Sequence, residues 1–61
     1  GMALAIHSVP EGAEVDLDGR PLGQTPLDLK DVPADGAVHT LRLRKAGFID
    51  ATVRVELVAA S

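Results

Sequence analysis

Apolar residues return at every second position along almost the whole chain, and no stretch of helical length shows a 3.6-residue period. Successive side chains of a β-strand point to opposite faces, so this alternation predicts half-buried strands. From Ala3 to Ser8, Leu4 and Ile6 share one face, with Ala5 and His7 on the other. From Ala13 to Asp18, Ala13, Val15 and Leu17 face inward while Glu14, Asp16 and Asp18 face solvent. A weaker run spans Thr25 to Leu29, where Pro26 removes a backbone donor and predicts an edge or a bulge. From Val38 to Lys45 the inward set is His39, Leu41 and Leu43; from Ile49 to Leu57 it is Ile49, Ala51, Val53, Val55 and Leu57. Asp31 to Ala37 (DVPADGA) is dense in turn residues and reads as a surface loop. The connections are too short for parallel crossovers, so neighbouring strands are antiparallel. A hairpin through Lys45 to Ile49 pairs Leu43 with Ala51 and Leu41 with Val53, and sets Arg44 beside Asp50. The fold class is a small antiparallel β-sandwich or open barrel of about five short strands.

Composition narrows what such a fold can do. A 61-residue chain is one domain, and it buries only about 60 % of its unfolded surface. Gly1 reads as the remnant of a tag, and residues 2–61 as a single domain cut from a larger protein. With no Cys there is neither a disulfide nor a thiolate metal site. Six basic against nine acidic residues give a net charge of −3, which argues against nucleic acid. Phe48 is the only aromatic, so stacking platforms for bases or sugars are lacking. No apolar run approaches the roughly 20 residues of a membrane-spanning helix, and direct membrane insertion is not expected.

The turns carry the specific information. In VPEG, Pro10 at the second position and Gly12 at the fourth suit a type I turn, and Ala13 opens the next inward row. Asp18-Gly19 is a hairpin signal that places Gly19 at positive φ. Gly23 and Gly47 sit in similar positions between runs. These pieces, SVPEGAEVDLDGRPLGQTPLDL followed by HTLRLRKAGF, resemble the PEGA domain, a family named for the letters at Pro10 to Ala13. The resemblance runs from about Ile6 to Leu57. It includes the DG turn, the G-x-T-P segment with Gly23, Thr25 and Pro26, the usual His at His39, and the turn of Gly47 and Phe48. Phe48 stands where the family usually has Tyr, which removes a hydroxyl. The resemblance implies a small β-sandwich module of bacterial and archaeal proteins, often extracytoplasmic or at the cell surface, without catalytic residues.

The residues themselves offer no strong centre of chemistry. Glu11 is a solvated turn residue. Asp16 and Asp18 lie two apart and could share a cation, but no loop supplies the six or more oxygens that calcium takes. His7 and Ser8 point to opposite faces and form no nucleophile–base pair. His39 lies on an apolar face and reads as a packed histidine bonded to backbone; as a metal ligand beside His7 it lacks a third partner. Phe48 is expected to plug one end of the sandwich. No catalytic residue, metal or cofactor is expected. The functional expectation is a non-catalytic spacer or binding module. Its partners would be other domains of the parent protein, another envelope protein or cell-wall glycan, met at a loop end or at the edge from Thr25 to Leu29. The alternative is an extracytoplasmic sensor of glycan or peptide attached to a membrane-anchored serine/threonine kinase.

Overall fold

The computed structural model describes residues 1–58. Six strands follow one another: β1 (Met2–Ile6), β2 (Glu14–Leu17), β3 (Arg20–Gln24), β4 (Leu27–Val32), β5 (Val38–Arg44) and β6 (Ala51–Glu56). They form a four-stranded antiparallel sheet in the order β3-β2-β5-β6, and a two-stranded sheet of β1 and β4. The result is an open sandwich rather than a closed barrel, with no helix among the described residues.

The hairpin register of β5 and β6 follows from the inward rows: Leu43 lies opposite Ala51 and Leu41 opposite Val53. The ion pairs differ from expectation. Arg42, not Arg44, reaches Asp50, at 3.2 Å. Arg44 turns to the other flank of β5, where β2 places Asp16 at 3.5 Å and Glu14 at 3.8 Å. A strand inside a sheet has two neighbours, and the acidic row of β2 outnumbers the single carboxylate of Asp50. Ile6, Val15 and Leu41 form the buried core, with Leu4, Leu17, Leu22, Leu27, Leu29, Leu43 and Val55 packed around it. Val15 is fully buried, a contribution of about 1.5–3 kcal/mol for a side chain of this kind.

Three features depart from the sequence pattern. β3 was not expected as a strand, because Pro21 and Gly23 flank its only apolar residue, Leu22. It forms as an edge strand with a bulge: Val15 pairs with Gly23 and Asp16 with Pro21, which leaves Leu22 as the extra residue. Gly23 therefore sits inside a strand, at φ 137°, and not between runs. The third element runs later than expected. It begins after Pro26 and continues to Val32, which is buried and not part of a surface loop. A register shift makes this possible: β4 spends one more residue than β1 between Leu4↔Leu29 and Met2↔Val32, with Asp31 at φ 58°.

The two sheets are also unequal. A two-stranded sheet cannot cover a four-stranded one, so the inward row of β6 is only partly sealed. Leu57 is buried and Val55 half-buried, but Val53 is 48 % exposed; Ile49, expected to open this strand, lies instead in the turn before Ala51 and is 98 % exposed. The chain crosses between the sheets twice at one end, from β1 to β2 and from β3 to β4. The Lys45–Asp50 turn lies at that same end. Met2, beside Val32, and Leu57, bonded to Ala37, lie at the opposite end.

Candidate interaction surface at the crossover end

The two crossovers are joined by one side chain. Thr25 is 4 % exposed, and its Oγ1 accepts from the Gly12 N–H at 3.1 Å and the Ala13 N–H at 3.0 Å. Its own hydroxyl proton goes to Ser8 Oγ, because the Ser8 hydroxyl donates to the Pro10 carbonyl at 2.9 Å. Backbone bonds reinforce the joint: Gly12 N–H to Thr25 O and Thr25 N–H to Ala13 O, each 2.9 Å. VPEG is therefore not closed as the expected type I turn, because the Gly12 N–H bonds across to Thr25 and not to Val9. The Val9-Pro10 and Thr25-Pro26 bonds are both cis, and the bend is held across the sandwich. Gly12 takes φ 90°, a region costly for residues with a Cβ, and an added Cβ would stand 3.2 Å from Lys45 Nζ. Ala13 is buried at the start of the inward row.

Beside this joint the surface is apolar. Val9 is fully exposed, Ile49 nearly so, and Phe48 is 57 % exposed. Phe48 therefore does not plug the sandwich. Its turn, closed by Phe48 N–H to Lys45 O at 3.0 Å, carries the ring out beside the Pro10 crossover. Val9, Pro10, Leu43, Phe48, Ile49 and Ala51 wall a hollow of about 140 Å³. Next to it lies a wider, open concavity edged by Glu14, Gln24, Arg44, Lys45 and Asp50. Glu11 is exposed on the crossover.

A second cluster lies nearer the other end. Asp18 and Gly19 make the two-residue turn between β2 and β3 with φ of 49° and 82°, as a hairpin of this length requires. Asp18 accepts from the Thr40 N–H at 2.9 Å and turns its other oxygen to His39 Nδ1. His39 Nε2 meets Asp35 at 2.9 and 3.0 Å. His39 is thus bonded to two carboxylates and not to backbone. Both ring nitrogens face acceptors, so the imidazolium is favoured and the pKa of His39 is raised, first by Asp18 and then by Asp35. The Thr40 N–H and His39 lower that of Asp18; His39 and the Ala37 N–H lower that of Asp35. Asp16 and Asp18 do not act together, because Asp16 is committed to Arg44 and Asp18 to His39. No group of three metal-ligating side chains occurs among the described residues.

A family model for the PEGA domain matches residues 2–61. The chain belongs to the PEGA domain family. No curated protein and no solved structure matches it. In this PEGA domain the named letters divide their work: Pro10 and Gly12 shape the crossover, Ala13 enters the core, and Glu11 is left in solvent. The G-x-T-P segment supplies the clasp through Thr25, while Pro26 follows it into β4. His39 and Asp18 form a separate brace, and Gly47, at φ 85°, turns the chain so that Phe48 projects. The residues singled out in the sequence thus fall in two places, the crossover end and the Asp18–His39–Asp35 bridge. Val9, Ile49 and Asp35 belong to these places and were not singled out. Val9 falls outside the alternating runs, Ile49 belongs by pattern to the inward row, and Asp35 lies in a turn-rich loop.

Proposed function

We propose that this PEGA domain is a non-catalytic binding module of an extracytoplasmic or cell-surface protein, and that it docks through Val9, Phe48 and Ile49. The family is not known for catalysis. The observation that carries the reading is the exposure of three large apolar side chains around one small hollow, since grouped apolar exposure of this kind marks interaction sites. The hollow has room for one aliphatic side chain, so the fitting partner is a protein segment. A sugar would need stacking faces and many hydrogen-bond donors, and Phe48 alone is aromatic. The position of the termini favours binding over a linear spacer. Met2 and Leu57 both lie at the end opposite the apolar surface.

The test is an amide-shift titration of the isotope-labelled domain with neighbouring segments of its parent protein, envelope proteins and cell-wall fragments. Shifts centred on Val9, Gly12 and Gly47 to Ile49 with a protein segment, and their loss in Phe48→Ala/Ile49→Ser, are expected. Shifts with glycan alone, at Arg44, Lys45 and Gln24, would replace this reading with ligand sensing.

A further inference from the structure

β6 is an outer strand of the four-stranded sheet, and among the described elements it pairs only with β5. An open strand edge presents unpaired N–H and C=O groups, and proteins usually guard it with charged side chains, proline, a bulge or a twist. The edges at β3 and β4 carry such guards, while β1, the remaining edge, belongs to the smaller sheet. β3 holds Pro21, Gly23 and a bulge, and β4 holds Asp31 at positive φ between Pro26 and Pro33. β6, with the sequence ATVRVE, has neither proline nor bulge and carries only the charges of Arg54 and Glu56.

The register shows which groups are free. The Leu57 N–H donates to Ala37 O at 3.2 Å, and Leu57 O accepts from the Gly36 N–H at 2.9 Å. Backbone groups alternate along an antiparallel strand, so Val55, Val53 and Ala51 also turn theirs toward β5. Thr52, Arg54 and Glu56 therefore present theirs outward. Among the described residues neither Arg54 nor Glu56 makes an ion pair within the chain.

We propose that β6 pairs antiparallel with β6 of a second copy of this chain, about a two-fold axis at Val55. Only certain registers match outward-facing residues on both strands, and charge chooses among them. Placing Arg54 opposite Arg54 sets like charges together. Moving the axis to Val53 sets Asp50 opposite Glu56, again like charges, and moving it to Thr52 sets Arg54 opposite an Asp50 already held by Arg42 of its own chain. With the axis at Val55, Arg54 of each copy lies opposite Glu56 of the other, so both ion pairs are attractive and four backbone hydrogen bonds form. On the inward face Val53, half exposed in the single domain, comes to lie opposite Leu57 of the second copy. The interface is isologous and closes on itself, giving a dimer with a continuous eight-stranded sheet. It uses a different surface from the Val9, Phe48 and Ile49 end and does not depend on that reading.

Charge reversal in sedimentation equilibrium tests this pairing up to about 1 mM chain. Arg54→Glu and Glu56→Arg each turn both cross-strand pairs repulsive, and each should raise the dimer Kd about tenfold or more. The doubly reversed chain, Arg54→Glu/Glu56→Arg, should recover the wild-type Kd. An equimolar mixture of the two single variants should form a heterodimer, because every pair across it is then attractive. A wild-type chain that stays monomeric up to that concentration overturns the proposal. So does a dimer insensitive to the single reversals, or single variants that do not associate when mixed.

Discussion

The clasp at Thr25 predicts an outcome opposite to that of hydrophobicity. Thr25→Val keeps the shape of the side chain but removes the oxygen that accepts from Gly12 and Ala13. The Gly12 N–H keeps the Thr25 carbonyl at 2.9 Å. The Ala13 N–H, on a buried residue, has no second acceptor among the described groups. Orphaning one buried donor costs about 1–3 kcal/mol, and the Ser8 hydroxyl loses a partner as well. The added methyl of valine offsets less than about 1 kcal/mol. A net loss of about 1–3 kcal/mol is expected. A domain of this size has a total stability of about 3–9 kcal/mol, so the loss is a large fraction of it. The melting temperature should fall by about 5–20 °C at roughly 4–8 °C per kcal/mol. The control is Thr25→Ser, which keeps the oxygen and drops one methyl, at about 1 kcal/mol. The chain has neither Trp nor Tyr, so urea unfolding is followed by far-ultraviolet circular dichroism. Thr25→Val within about 0.5 kcal/mol of wild type, or more stable than Thr25→Ser, would refute the reasoning.

The carboxylate bridge makes stability depend on pH in a defined direction. His39 is raised above 6.5, so its contribution is complete below pH 6.5 and disappears as pH rises through the folded value. Asp18 and Asp35 are lowered below 3.8, so theirs is complete above pH 3.8 and is lost as pH falls through their folded values. The bridge is therefore fully effective between pH 3.8 and 6.5. Melting curves of His39→Gln should lose the decline above pH 6.5 that wild type shows, and proton NMR should find the imidazole titrating above 6.5. Phe48→Ala should cost no more than about 1 kcal/mol, because the ring is already more than half exposed; a loss of 3 kcal/mol in urea titration would place the ring in the core. Gly12→Ala should cost about 1–3 kcal/mol through its φ of 90°. Glu11→Ala, on the same crossover, should move stability by no more than about 0.5 kcal/mol in the same assay.

Alternation determined the class of the fold, because facing is a local property with a period of two, and short connections added the antiparallel arrangement and the β5–β6 register. Turn chemistry determined the reversal at Asp18-Gly19, since few residues accept two successive positive φ values. The motif letters determined the family. What alternation cannot state is whether an inward row meets another layer. Phe48 and Ile49 are expected in the core, yet they are exposed because they fall in the turn between β5 and β6 and not on a strand. Val32 belongs by pattern to a loop, yet a bulge at Asp31 turns it inward. Thr25 and His39 owe their roles to partners 12 to 21 residues away, Ala13 and Asp18. Local patterning thus chose which faces are apolar. Only the tertiary structure decided which of them are covered, because covering depends on how many strands each sheet contains and where the chain crosses between them.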